Sequence, residues 1–317
     1  MNEMKKKILL IDSVHDIIPN KLSEYGFEVV NGVSLSLIEI LDCIADFCGI
    51  VIRSRIIIDK ALIDKALNLR FVARVGSGME SIDTEYCKSK GIVCLNSPEG
   101  NRDAVGEHCI GMLLSLMNNL NKADREVKSG VWNREGNRGM ELNSKTVGII
   151  GYGNMGSSFA KKLSGFSCKV ISYDKYKSDY ADEYTTEVQM DEIFRGADIV
   201  SFHIPLSYET KSLVNEDYIS KFKKPIILIN TSRGPIVDTK ALVKALKSGK
   251  VRGAALDVIE YEESSFEKTN NMTKHEDFRY LAQSENLIMS PHIAGWTVES
   301  KIKLAEVLVS KIIALKI

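Results

Sequence analysis

The sequence predicts an α/β protein built from two doubly wound parallel-sheet domains with a cleft between them. Two observations carry this expectation. Short apolar runs alternate with helix-patterned stretches almost throughout the 317 residues, which is the pattern of parallel sheets covered on both faces. A glycine-rich loop, with Gly151, Gly153 and Gly156 spaced as Gly-x-Gly-x-x-Gly, stands in mid-chain rather than at the N-terminus. A complete α/β unit therefore precedes it, and the length suffices for two domains of ordinary size.

The first series of strands is expected at 8–11, 27–30, 50–53, 71–75 and 92–95, with helical stretches between them, as at 35–47 and 60–67. The N-terminal MNEMKKKILLID imitates the start of a signal peptide, but its apolar run stops at Ile11 and meets Asp12. It reads as the first strand. One long helical stretch follows at 104–128 and contains the apolar run 110–117. The second series of strands is expected at 146–150, 169–173, 199–202, 226–229, 254–256 and 287–289, and an amphipathic helix at 298–315 closes the chain. Residues 260–278 are polar and strandless, either a loop near the cleft or a surface excursion. There are no repeats, low-complexity tracts or Pro-rich linkers.

The glycine loop is informative because of its surroundings. A buried-strand pattern precedes it, a helix-friendly stretch begins at Ser157, and a second strand runs straight into Asp174. Gly151 permits the tight turn, Gly153 lets backbone approach a pyrophosphate, and Gly156 lets helix and strand pack closely. The helix aims its first N–H groups at the phosphates. Asp174 stands where a carboxylate can accept both ribose hydroxyls of an adenosine, which favours NAD over NADP. Lys175 and Lys177 follow closely and soften that preference, unless they are solvated loop charges.

Composition narrows the classes. Hydrophobic residues make up 44% and charged residues 26%, and Lys plus Arg equals Asp plus Glu at 42 each. Neither a nucleic-acid nor a membrane partner is expected from that balance, and no run approaches a membrane span. The six cysteines, Cys43, Cys48, Cys87, Cys94, Cys109 and Cys168, form no C-x-x-C pair and no metal spacing. They fit reduced thiols in a cytoplasmic protein, and no metal is expected.

Three loops after strands of the second series could carry chemistry. Arg233, in NTSRGPIVD (230–238), would sit at the edge where α/β sheets bind ligands, and its fork suits a substrate carboxylate. A structural arginine bridging two loops is the other reading. DVIEYEE (257–263) offers Asp257, Glu260, Glu262 and Glu263, and most loop glutamates are solvated. SPHIAGWT (290–297) carries His292. Among five histidines (His15, His108, His203, His275, His292), only His203 and His292 fall just past strands of this half. His203, followed by Ile204 and Pro205, could line the adenine side, and His108 in the long helix reads as structural. An imidazole is the usual group for taking a proton from an alcohol while its hydride leaves.

With these residues assembled, the chain resembles the D-isomer-specific 2-hydroxyacid dehydrogenases over nearly its full length. The resemblance rests on RVGSGMESID (74–83), NRDAVGEH (101–108), GVW (130–132), ELNSKTVGIIGYGNMG (141–156), HIPLSYETKSLVNEDYISKFK (203–223), NTSRGPIVD, GAALDVIEYEE (253–263) and SPHIAGWT. It implies a flavodoxin-like substrate domain formed by 1–100 plus 296–317, made discontinuous by the returning C-terminal helix, and a Rossmann NAD-binding domain at 101–295. It implies catalysis by Arg233, Glu262 and His292. Arg233 would bind the substrate carboxylate and C2 oxygen, His292 would be the acid/base, and Glu262 would hydrogen-bond His292 and favour its charged form. The implied NAD site comprises Gly151, Gly153, Asn154, Met155, Gly156, Asp174, His203, Pro205, Thr231, Asp257 and His292, with Asp257 on the nicotinamide carboxamide. Backbone at Ser77 and Gly78 would meet the substrate carboxylate. A homodimer through the long helix and the segment leading into the glycine loop is also implied.

The chain departs from the family pattern in places. Proline usually follows the catalytic glutamate, and here Glu263 stands there, so Glu260 or Glu263 could compete with Glu262. Gly106 replaces the usual alanine before Glu107. Formate dehydrogenases carry glutamine in place of the acid, so Glu262 argues against that branch. Arg53 and Arg74 end two strands of the first domain, with Arg55 close by. They suit a dianionic substrate such as 3-phosphoglycerate, a step of serine biosynthesis, unless they pair with acids at the domain junction. The 3-phosphoglycerate dehydrogenases are the best-resembling branch. No regulatory domain is expected after the last helix, and so neither is feedback by serine through one. The alternatives are a reductase of glyoxylate, hydroxypyruvate or D-lactate type, or an NAD-sensing corepressor-like binding protein.

Overall fold

The computed structural model describes residues 6–262 and 272–317. They fall into two compact units, residues 6–101 with 296–317 and residues 102–262 with 272–295. Each is an α/β domain around a wholly parallel sheet.

The first sheet contains β1 (Lys7–Leu10), β2 (Glu28–Asn31), β3 (Gly49–Ile52), β4 (Phe71–Arg74) and β5 (Val93–Leu95) in the order β2-β1-β3-β4-β5. Successive strand side chains point to opposite faces, so alternate residues feed separate cores. Leu9, Ile50, Ile52 and Val72 join one core, while Ile8, Leu10, Val51, Phe71 and Ala73 join the other. The helix Val298–Ala314 covers the second core with Ala305, Leu308, Val309 and Ile312. The end of the chain thus completes the unit that its beginning starts. Thr297 starts that helix, its hydroxyl accepting the Ser300 N–H.

The second sheet contains β6 (Thr146–Ile150), β7 (Lys169–Tyr173), β8 (Thr186–Glu187), β9 (Ile199–Phe202), β10 (Ile226–Asn230), β11 (Val251–Leu256) and β12 (Leu287–Met289). Their order is β12-β11-β10-β9-β6-β7-β8. β10 shows why the run is apolar throughout: Ile226 and Leu228 enter one core, Ile227 and Ile229 the other. From β6 the chain passes to β7 on one side and later to β9 on the other. The order therefore reverses at β6, and a crevice opens at the carboxyl ends of β6 and β9.

Two details differ from the sequence reading. The single helix expected at 104–128 is two helices, Arg102–Met117 and Leu120–Lys128. Asn119 between them has φ 52°, a left-handed conformation that asparagine tolerates better than most residues. The short edge strand β8 was not foreseen, since two residues carry no periodic pattern. Among the described residues no helix is long and apolar enough to cross a membrane.

Candidate active site

All strands of the second sheet run the same way, so the loops that follow them share one edge. The glycine loop follows β6. Gly151 has φ 92°, and a Cβ there would lie 2.5 Å from the His203 carbonyl oxygen. A Cβ on Gly156 would lie 2.1 Å from the Gly151 carbonyl oxygen. Protein atoms thus demand these two glycines. Gly153 differs, because nothing lies within 4 Å of its Cβ position. Its missing side chain leaves open space at the start of the helix Asn154–Leu163, as close approach of a ligand phosphate needs. Asn154 and Met155 open that helix.

Asp174 follows β7, next to β6. Its carboxylate accepts the Tyr152 N–H at 2.9 Å and the Tyr176 N–H at 3.0 Å, which ties it to the glycine loop. Lys175 is paired with Glu209 at 2.6 Å, and Lys177 donates to the Tyr152 carbonyl at 2.8 Å. His203 follows β9, with Pro205 two residues on, and its Nε2 lies 2.8 Å from the Ser201 hydroxyl. Burial pushes this imidazole down to about 4, so at neutral pH it carries no charge. These residues fit a dinucleotide: a glycine turn with open space over a helix start, and a carboxylate anchored beside it.

Three adjacent strands supply the remaining groups. After β10, the Asn230 side chain shapes the turn that presents Arg233. Its Oδ1 accepts from Ser232 N–H at 3.1 Å and Ser232 hydroxyl at 2.7 Å, and its Nδ2 donates to the Arg233 carbonyl at 3.0 Å. Arg233 Nη1 donates to the Ser232 carbonyl at 2.6 Å. Thr231 is buried against Cys109, whose Sγ lies 3.3 Å from its hydroxyl. Burial pushes that thiol up to about 12, so it stays protonated. Gly234 allows the next strand's loop to press close: a Cβ there would sit 2.0 Å from the Ile259 carbonyl oxygen.

Glu262 curls around that same Ile259. Its Oε1 accepts the Ile259 N–H at 2.5 Å, and its own N–H reaches the Ile259 carbonyl at 3.2 Å. Its other oxygen, Oε2, lies 2.7 Å from His292 Nδ1. Glu260 points elsewhere and accepts from Thr239 N–H and hydroxyl at 3.2 and 2.8 Å. Glu263 lies outside the described residues.

His292 follows β12 and has φ 56°. A non-glycine residue in this region is strained and persists only where its surroundings over-determine it. Asp257, 1% exposed after β11, does so. Its carbonyl accepts the His292 N–H at 2.7 Å. Its carboxylate accepts from Ser290 hydroxyl at 2.6 Å, Ile293 N–H at 2.8 Å and Ala294 N–H at 2.8 Å. The structure therefore brings His292, Glu262 and Asp257 into one hydrogen-bonded set, with Arg233 on the neighbouring strand end.

In the first unit Arg53 and Arg74 end the adjacent strands β3 and β4. Arg74 is buried and donates to the Arg53 carbonyl at 2.9 Å and the Gly78 carbonyl at 2.7 Å, so it braces both loops. Ser77 donates its hydroxyl to Asn101 at 2.8 Å, and its carbonyl accepts from Asn96 at 2.6 Å. The Arg53 guanidinium lies over the Trp296 ring, 5.2 Å from its centroid. Arg55 binds the carbonyls of Ile11 and Leu35 at 3.0 and 2.8 Å. Sequence reasoning did not find Asn230 or Ser290, whose only signal was a small polar residue at a strand end. Among the described residues no group of three or more His, Cys, Asp and Glu is placed to hold a metal ion.

Comparison with known proteins fits this geometry. Residues 110–294 match the family model described as the D-isomer specific 2-hydroxyacid dehydrogenase, NAD binding domain. The chain belongs to the D-isomer specific 2-hydroxyacid dehydrogenase family. The dinucleotide of this family's domain is NAD. A hydroxypyruvate reductase of Thermotoga maritima is 34% identical over 276 residues, covering 86% of each chain. A D-3-phosphoglycerate dehydrogenase of Archaeoglobus fulgidus is 32% identical over 97% of this chain, which spans 56% of that relative's length. The crystal structure of a D-lactate dehydrogenase from Aquifex aeolicus, complexed with NAD and lactic acid, superposes with a TM-score of 0.81 at 29% identity, covering 98% of this chain and 95% of that one.

Proposed function

We propose that this family member is an NAD-dependent oxidoreductase that moves hydride between nicotinamide and C2 of a D-2-hydroxy acid or 2-oxo acid. The observation that carries the proposal is the His292–Glu262 pair at 2.7 Å, at the same sheet edge as the glycine loop. Gly151, Gly153, Asn154, Met155, Gly156 and Asp174, with His203, Pro205, Thr231 and Asp257 around them, would hold NAD, which when bound would supply or accept the hydride.

The chain's own residues do the rest. Glu262 holds His292 by Nδ1, so the imidazole exchanges protons at Nε2. In oxidation Nε2 takes the hydroxyl proton of the substrate, and in reduction it returns it. The Glu262 carboxylate stabilises the imidazolium formed between the two. Arg233 binds the substrate carboxylate through its fork and stabilises charge on the C2 oxygen.

For the substrate we propose an acid with a second anionic group, 3-phosphoglycerate or its 2-oxo form, with a place in serine biosynthesis. Arg53 supports this: among the described residues its guanidinium pairs with no carboxylate and lies over Trp296. The test compares rates with NADH on 3-phosphohydroxypyruvate, hydroxypyruvate, glyoxylate and pyruvate. The phosphorylated acid is expected to win, and Arg53→Ala to cost it about 10-fold or more in kcat/KM, as loss of a charge-assisted contact does. Equal rates with and without the phosphate, in both proteins, would leave the smaller acids as substrates.

We further propose a homodimer. The helix Leu120–Lys128 buries none of its residues, and within the stretch 120–140 Leu120, Val127, Val131 and Met140 are exposed, as is Trp132 at 79%. Several exposed large apolar groups in one short stretch of chain suit an association surface. Sedimentation should give a dimer for the parent chain and a monomer for Trp132→Glu; a monomeric parent contradicts the proposal.

A further inference from the structure

His108 has no place in the chemistry above, yet it reaches the carboxylate that holds the His292 turn. It projects from the helix Arg102–Met117, and its side chain is 23% exposed. Its Nε2 lies 2.9 Å from the Ser290 hydroxyl and 3.5 Å from Asp257 Oδ1. Ser290 has one hydroxyl proton, and the 2.6 Å bond gives it to Asp257 Oδ1. The short contact with the imidazole must then run from His108 Nε2–H to the serine oxygen. This fixes a proton on Nε2 and orders a relay of donors: His108 to Ser290, Ser290 to Asp257.

The end of that relay is the group on which the turn depends. The Asp257 carboxylate takes the N–H groups of Ile293 and Ala294, which hold His292 in its left-handed conformation. The donors that fill a buried carboxylate's lone pairs fix its position, and a fully satisfied network is the more rigid one. We propose that His108 is a positioning residue: through Ser290 it locks the Asp257 carboxylate, and so sets where the His292 imidazole stands. This role in turnover rests on the oxidoreductase reading above; the locking of the turn does not.

The relay makes a geometric demand that separates it from plain packing. The amide nitrogen of Gln reaches about as far as His Nε2, while that of Asn reaches only about as far as Nδ1. His108→Gln should restore the donor, and His108→Asn should not, although both are polar. Ser290→Ala removes the middle of the chain and leaves His108 only its 3.5 Å approach to Asp257, so adding His108→Leu to it should cost much less than it does in the parent.

Two readouts are needed. The first is amide hydrogen exchange across 290–295, which requires no turnover. His108→Leu, His108→Asn and Ser290→Ala should each speed exchange at Ile293 and Ala294 by about 10-fold or more, with His108→Gln close to the parent. The second is steady-state kinetics with NADH and the best 2-oxo acid. The same three variants should lose kcat by about 10-fold with little change in KM, the size seen when outer hydrogen-bond partners of a working group are removed. Equal exchange in Gln and Asn variants, or additive losses in the His108→Leu/Ser290→Ala double variant, would overturn the relay. Should the parent protein turn over no 2-oxo acid, the functional reading fails, and the exchange experiment still decides the relay.

Discussion

His292→Ala is expected to lower kcat by about 10²–10⁴-fold, the usual contribution of a positioned acid/base. The loss should fall on kcat because in the proposed mechanism the imidazole would act while the proton is in flight, not while substrate binds. Affinity for NADH should stay within about twofold, since the glycine loop and Asp174 belong to other strand ends. Folding should suffer little, because the bonds that hold the turn run from backbone N–H groups to Asp257 and do not involve the imidazole. Kinetics beside a fluorescence titration of NADH checks both halves. A variant retaining near-normal kcat would remove His292 from the mechanism.

Arg233→Lys is expected to lower kcat/KM by about 10²–10³-fold, comparable to loss of a preorganised donor to a developing charge. The charge survives in this variant, but the fork does not. A lysine ammonium offers a point charge where a carboxylate and a C2 oxygen need two directed donors. KM should rise and kcat fall together, since in the proposed mechanism the same group would bind the ground state and stabilise the transition state. The turn itself should hold, because the Asn230 side chain makes three of its bonds and the guanidinium adds only the one to the Ser232 carbonyl. The melting temperature of this variant beside its kinetics checks that separation. A kcat/KM within about twofold of the parent would return Arg233 to the reading of a structural bridge.

Much of the fold was legible because parallel strands buried on both faces are written as short apolar runs. β10, apolar from Ile226 to Ile229 and split between two cores, is an example. The glycine loop was legible for a similar reason, since Gly151 and Gly156 are each required by a backbone oxygen within 2.5 Å of a Cβ position. The break at Asn119 was harder, because one left-handed residue leaves the apolar periodicity on either side intact. β8, two residues at the sheet edge, has no periodicity to find.

In the site, strand ends told which residues lie at the edge but not which way each turns. Sequence left Glu260, Glu262 and Glu263 as rivals. The geometry that parts the first two is the close pass of Gly234 over Ile259, a long-range contact that spacing cannot reveal. His108 read as structural because it sits mid-helix, and only the fold brings it to Ser290.

The most direct measurement follows the hydride itself. Reduced nicotinamide cofactor carrying deuterium at C4 is incubated with the chain and a 2-oxo acid, and the product is examined by NMR and chiral chromatography. Deuterium is expected at C2 of the D-hydroxy acid, and none when His292→Ala replaces the parent over the same time. An L product, or no label at C2 from any acid of the set, would contradict it.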